Sequence, residues 1–129
     1  MNRIRSYLSL GILILLPCLL VGQKARTEFE YLSSNDGLIQ NHVFSINQDE
    51  YGFMWFCTQG GLSKYDGFTF TNFVHLEDDS TTISNSFADR FILDKKGNYW
   101  VTTYSGFNKM DRIKGTFKRY LHNDADLAS

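Results

Sequence analysis

Few side chains in this 129-residue chain are able to do chemistry, and their spacing is what limits them. His42, His75 and His122 are the only imidazoles, and no two stand at the i, i+4 separation that points two ligands at one metal ion. The acidic run Glu77-Asp78-Asp79 lacks the alternating oxygen ligands and central glycine of a calcium loop, so it reads as a solvated connection. Cys57 lies in the apolar run Phe53-Met54-Trp55-Phe56-Cys57, where a buried, inert thiol is expected. Asp49 and Asp94 remain, each opening an Asp-x-x-Gly-x-x-Trp string. Glycoside hydrolysis needs two carboxylates facing one bond, and carboxylates in equivalent turns of successive repeats do not converge in that way. No catalytic, cofactor-binding or metal-binding residue is expected.

The two strings, Asp49-Gly52-Trp55 and Asp94-Gly97-Trp100, open a longer match. Thr58 and Thr103 follow, then Gly61-Leu62-Ser63-Lys64-Tyr65-Asp66 aligns with Gly106-Phe107-Asn108-Lys109-Met110-Asp111, all 45 residues apart. A period of about 40 to 50 residues, filled with short aromatic-rich strands and glycine turns, is that of β-propeller blades rather than helical repeats. The expected fold is all-β, with two four-stranded antiparallel blades at 41–84 and 85–129. Residues 23–40 supply a leading outer strand, Phe29-Glu30-Tyr31-Leu32, and the loop from Ser33 to Leu38 that leads into the first blade. Such a strand could complete a last blade and remove its exposed edge.

Within the blades, alternation and turn residues predict strands at Val43 to Gln48, Phe53 to Cys57, Leu62 to Tyr65 and Phe68 to Val74. The second set is Phe87 to Leu93, Tyr99 to Thr103, Phe107 to Met110 and Thr116 to Leu121. The Asp-x-x-Gly element makes the first hairpin: the carboxylate accepts backbone N–H groups while Gly52 or Gly97 takes positive φ. This leaves Trp55 and Trp100 free to pack between neighbouring sheets. Gly61 and Gly106 serve the second turn. In the second unit the last turn, Asp111-Arg112-Ile113-Lys114-Gly115, is two residues longer than its counterpart at Asp66-Gly67, which moves the offset to 47 and pairs Phe70 with Phe117, Phe73 with Tyr120 and His75 with His122.

Composition fixes the surroundings. With 43% hydrophobic and 16% aromatic residues and one proline, the chain reads as globular and β-rich. Arg3 and Arg5 before the apolar run Leu8 to Leu16, then Pro17 to Gly22, have the order of a secretory signal peptide over 1–22, starting as a helix. The run is shorter than the roughly 20 residues that span a bilayer. Pro17 directly before Cys18 argues against lipidation there, and Cys57 alone in the mature chain allows no internal disulfide. A formal net charge of −1 lacks the basic footprint of a nucleic-acid binder.

These residues resemble a known family, the two-component regulator propeller repeats at the N-terminus of Bacteroidetes-type hybrid two-component sensor histidine kinases. The carriers are Asn35-Asp36-Gly37-Leu38, Asn41, Val43, Asp49, Gly52, Trp55, Thr58, Gly61-Leu62 and Tyr65-Asp66-Gly67, then Asn85, Asp94, Gly97, Trp100, Thr103, Gly106 and Asp111. The second unit departs from the pattern at Phe107, Met110 and Arg112. The resemblance implies an exported, periplasmic sensor region that binds oligosaccharides. Further blades, a membrane anchor and a kinase would follow, and the parent protein is expected to be dimeric. The chain stops where another blade should begin, so it reads as the N-terminal piece of such a protein and not itself an enzyme.

Glycan-cleaving propellers are the enzymatic alternative, but their Asp box is Asp-x-Gly-x-x-Trp, one residue shorter than the string here. A propeller used as a protein-interaction scaffold is the other alternative. Ligand recognition would draw on loops at one end of the propeller, with Gln59, Tyr104, Tyr51 and Asn108 as residues that loop position alone suggests.

Overall fold

A computed structural model describes residues 28–121. The expected signal peptide over 1–22, the start of the leader at 23–27 and residues 122–129, with His122, lie outside the described residues. Residues 31–121 form one compact unit. It contains two four-stranded antiparallel meanders, β1 (Val43–Gln48), β2 (Met54–Thr58), β3 (Gly61–Tyr65) and β4 (Phe70–Phe73), then β5 (Ala88–Leu93), β6 (Tyr99–Thr103), β7 (Gly106–Asp111) and β8 (Thr116–Leu121). Each strand pairs with the next in sequence order. The repeat extends to an irregularity, since both first strands slip register at the same place, between Val43 and Ser45 and between Ala88 and Arg90.

Where strand ends differ from expectation, turn hydrogen bonds explain it. Phe53 stays outside β2 because its N–H donates to Asp49 Oδ1 at 3.0 Å. Phe68 and Thr69 stay outside β4 because both N–H groups go to Asp66 Oδ1, at 2.8 and 2.7 Å. Phe87 donates to Asn85 Oδ1 at 2.8 Å, so β5 starts one residue later. The equivalent of that bond in the first blade runs from His42 to Gln40 Oε1 at 2.7 Å, which matches Asn85 with Gln40 rather than with Asn41. Asn41 instead holds the leading loop, accepting from Ser34 at 2.7 Å. The tight β2–β3 and β6–β7 hairpins draw Thr58, Gly61 and Gly106 into the ladders.

The expected outer strand at Phe29 to Leu32 is not formed. Phe29 and Tyr31 are 89% and 94% exposed. The outer positions of both sheets are already filled by β4 and β8, so among the described residues no third strand of another blade is open to pair with this segment. After it, Ser33 caps a 3-10 turn, Ser34–Asp36, and Leu38 is buried on Phe56 and Tyr65.

The main core lies between the two sheets. Trp55, 2% exposed, stacks on Phe91 of the second blade at 4.6 Å between ring centroids and meets Tyr99 edge-on at 5.8 Å. Phe73 meets Phe117 at 5.6 Å. A buried aromatic of this kind removes roughly 150–250 Å² from water, worth on the order of 4–6 kcal/mol at about 25 cal/mol per Å². Strand alternation assigns the opposite face of blade one to Leu38, Phe56, Tyr65 and Phe70, the repeat counterparts of Ile83, Val101, Met110 and Phe117, which blade two buries against blade one. Trp100 with Tyr120, 5.6 Å apart, likewise repeats Trp55 with Phe73 on the far face of blade two.

Cys57 sits in this core with no exposure, and burial pushes its thiol up to about 11 against a smaller opposing pull from the Ser45 hydroxyl. The native protein is therefore expected to resist a thiol-specific colorimetric reagent at pH 8 and to react fully once urea is added. Rapid labelling without denaturant would count against this packing.

Candidate functional site

The motif carboxylates come first, because their environment decides whether they are free for chemistry. Asp49 Oδ1 accepts the N–H groups of Tyr51 and Phe53 at 2.9 and 3.0 Å, and its Oδ2 accepts Trp55 Nε1 at 2.9 Å and the Tyr99 hydroxyl at 3.0 Å. Asp94 repeats the pattern: Oδ1 takes the N–H groups of Lys96 and Asn98 at 2.8 Å, and Oδ2 takes Asn98 Nδ2 at 2.8 Å and Trp100 Nε1 at 3.0 Å. Trp55 fills the gap between the sheets as expected, and the structure adds that each indole N–H is also hooked to the carboxylate of its own turn. Burial by itself would raise the Asp49 pKa, but the bonds from Trp55, Tyr99, Tyr51 and Phe53 outweigh it and hold the carboxyl below its ordinary value. Asp94 lies well below the carboxylate range, held there chiefly by the Asn98 side chain and N–H and by Trp100. Groups so fully occupied as acceptors stay ionised and have no proton to give.

Thr58 and Thr103 cap the second turn. Thr58 Oγ1 donates to the Gly61 carbonyl at 2.9 Å and accepts the Gly60 N–H at 3.1 Å, and Thr103 Oγ1 donates to the Gly106 carbonyl at 3.2 Å. Gly52 and Gly97 adopt φ of 88° and 76°, each donating to the carbonyl of its own aspartate at 3.0 Å.

The four residues suggested as ligand contacts do not come together. Gln59 and Tyr104 are equivalent and share one end of the blades, at the β2–β3 and β6–β7 turns. Tyr51 is on the β1–β2 turn at the opposite end. Asn108 is fully buried, its Oδ1 accepting from Ser84 N at 2.8 Å and its Nδ2 donating to the Val101 carbonyl at 3.2 Å, so it holds a loop and touches no solvent. Ser63 does the same in blade one, accepting from Ile39 at 3.3 Å.

Around Gln59 and Tyr104 the structure adds residues that sequence reasoning passed over. His42, Phe44, Phe87 and Tyr104 form a row of rings across both blades, with successive centroids 4.8, 4.5 and 6.3 Å apart. Gln59 donates to the His42 carbonyl at 3.2 Å, and Tyr104 to the Phe87 carbonyl at 3.1 Å. Tyr104 is 86% and Phe44 37% exposed, so flat apolar faces reach solvent beside the polar edge of Gln59. The available signal was that His42 and Phe87, both aromatic, stand 45 residues apart. A second missed pair ties the leading loops down: Asn72 Nδ2 donates to the Gly37 carbonyl at 2.9 Å, and Arg119 Nε to the Thr82 carbonyl at 2.8 Å. Asn and Arg do one job at an offset of 47, which residue identity conceals. Among the described residues no group of three histidine, cysteine or carboxylate side chains is arranged to hold a metal ion.

Two twisted four-stranded meanders, packed face to face with one tryptophan hooked to each first hairpin, are β-propeller blades. Residues 37–60, from the leading loop through the Asp49 turn and β2 into the β2–β3 turn, match the family described as Two component regulator propeller. The chain is 40% identical over 65 residues to Histidine kinase P4 of Formosa agariphila, covering 50% of this chain and 5% of that protein. It is similar to a solved structure described as the extracellular domain of the hybrid two component system BT3049 from B. thetaiotaomicron, with 30% identity and a TM-score of 0.66 over 75% of this chain and 14% of that one. A second B. thetaiotaomicron domain, from the hybrid two component system BT4673, aligns at 16% identity with a TM-score of 0.33 over 76% of this chain and 21% of that one. The chain therefore spans a small part of the length of the relatives it matches.

Proposed function

We propose that this chain is part of the extracellular sensing propeller of a hybrid two-component regulator and that it contributes a wedge of an oligosaccharide-binding face. The observation that carries the reading is the His42–Phe44–Phe87–Tyr104 row, which puts exposed ring faces and polar edges from two blades on one end of the sheets. Sugars present a C–H face and a hydroxyl rim, and such a row offers the complement to each. Support for the sensor setting comes from the likeness to the extracellular domain of a hybrid two component system. The wedge is non-catalytic, because both motif carboxylates are fully engaged as acceptors. The parent protein would be a periplasmic, membrane-anchored dimer that passes occupancy of the completed propeller to a kinase.

The test is calorimetric titration of the full expressed protein with a panel of plant and host oligosaccharides. Binding by one member, weakened about tenfold by Tyr104→Ala with the fold intact, is the expected result, since loss of one aromatic contact costs on the order of 1 kcal/mol or more. A panel that binds nowhere, or binding indifferent to both Tyr104→Ala and Phe44→Ala, sinks the proposal.

A further inference from the structure

We propose a second binding site, at the opposite end of the blades, for a single six-membered ring carrying a carboxylate, built by the lengthened β7–β8 turn. That turn is the departure from the repeat pattern that the sensing face does not use. It is closed by Gly115 N–H on the Asp111 carbonyl at 2.8 Å, with Asp111 Oδ1 accepting from Ile113 and Lys114 at 3.0 and 3.1 Å. The two extra residues carry Arg112 across to blade one. Its guanidinium lies 4.1 Å from the Tyr51 ring centroid and 5.0 Å from that of Tyr99, and Nη1 donates to the Tyr99 hydroxyl at 3.0 Å. The result is a cleft of about 200 Å³ between Tyr51, Phe53, Lys64, Phe73, Arg112 and Gly115.

Size and charge together select the ligand. The cleft is smaller than the roughly 300–1,000 Å³ of pockets for drug-sized molecules, so it suits one ring and not a chain of them. Lys64 holds its ammonium 4.1 Å from the Phe53 ring centroid and makes no ion pair among the described residues. The carboxylate nearest Arg112 is Glu50, at 3.8 Å, with both side chains partly exposed. Asp49, on the cleft wall, already accepts four hydrogen bonds and offers nothing to a ligand hydroxyl. Two cationic donors with capacity to spare, set among ring faces beside an Asp49 carboxylate whose acceptor sites are filled, favour an anion with an apolar face. The ligand carboxylate lies between Lys64 and Arg112, displacing Glu50, and its ring lies against Phe53 and Phe73.

D-glucuronate is the probe and D-glucose its neutral counterpart, titrated into the full expressed protein by calorimetry. Glucuronate is expected to bind at least about tenfold more tightly than glucose, and Lys64→Met to remove about tenfold of that affinity while Lys64→Arg retains it, as expected for one charge-assisted hydrogen bond. Tyr104→Ala, on the other end, is expected to leave glucuronate binding unchanged, which separates this site from the sensing face. Lys64→Gln replaces Lys64→Met if the latter fails to give a native thermal transition. The proposal is overturned if glucose binds as well as glucuronate, if the folded Lys64 variant binds glucuronate unchanged, or if Tyr104→Ala abolishes the binding.

Discussion

Gly61→Ala is expected to lose about 3–5 kcal/mol of stability, close to the whole margin of a small repeat unit. Gly61 has φ of 145°, and a Cβ built on it would stand 2.4 Å from the Phe73 carbonyl oxygen. Phe73 is the last residue of β4, laddered to β3, so this oxygen cannot retreat without opening the outer strand. Gly106 repeats the arrangement, with φ of 143° and a Cβ position 2.4 Å from the Tyr120 carbonyl oxygen. Gly52→Ala is the control: its φ is 88°, but the nearest atom to its Cβ position is Gln48 Nε2 at 3.9 Å, so it carries only the left-handed backbone cost of about 1–2 kcal/mol. Urea denaturation of the expressed protein measures both. If Gly61→Ala costs no more than Gly52→Ala, backbone crowding by the outer strand is not what selects glycine there.

Asp49→Ala is expected to cost about 3 kcal/mol or more, because it strands Trp55 Nε1 and the Tyr99 hydroxyl in the buried contact between blades and releases the hairpin N–H groups. Asp94→Ala is expected to cost less, since its Trp100 is only half-buried and water can replace the lost acceptor. The same chemistry gives a pH dependence. Both carboxyls are held below their unfolded value near 4, so their stabilisation is fully present above that pH and is lost as pH falls from there through the folded values. Thermal midpoints should therefore fall below about pH 4, and less steeply in Asp49→Ala than in the parent. An equally steep decline in the variant would place the acid sensitivity elsewhere.

Much of this architecture was legible because a repeat gives each position two readings. The bounds of β1, β6 and β8 follow from alternation alone, and the placement of Asp49, Gly52 and Trp55 follows from a hairpin with a 45-residue echo. Several strand starts were misplaced where a side chain competed with the ladder for a backbone N–H, as Asp66 does for Phe68 and Thr69, and others where a tight hairpin carried Thr58, Gly61 and Gly106 into the ladder. Phe29 to Leu32 has strand composition but finds no open partner edge among the described residues, and a strand needs one.

The candidate site was harder to read. Turn position suggests Gln59 and Tyr104, which share one end of the blades, but it suggests equally Tyr51 and Asn108, which lie at the other end and in the core. Local sequence determined the repeat, the turns that need glycine and aspartate, and the all-β class, because each rests on a few neighbouring residues and a steric rule. Only the tertiary structure decided which ring meets which and where Arg112 reaches. It also showed that Asn72 and Arg119 do one job, because each of these contacts joins residues 35 or more positions apart or spans two blades.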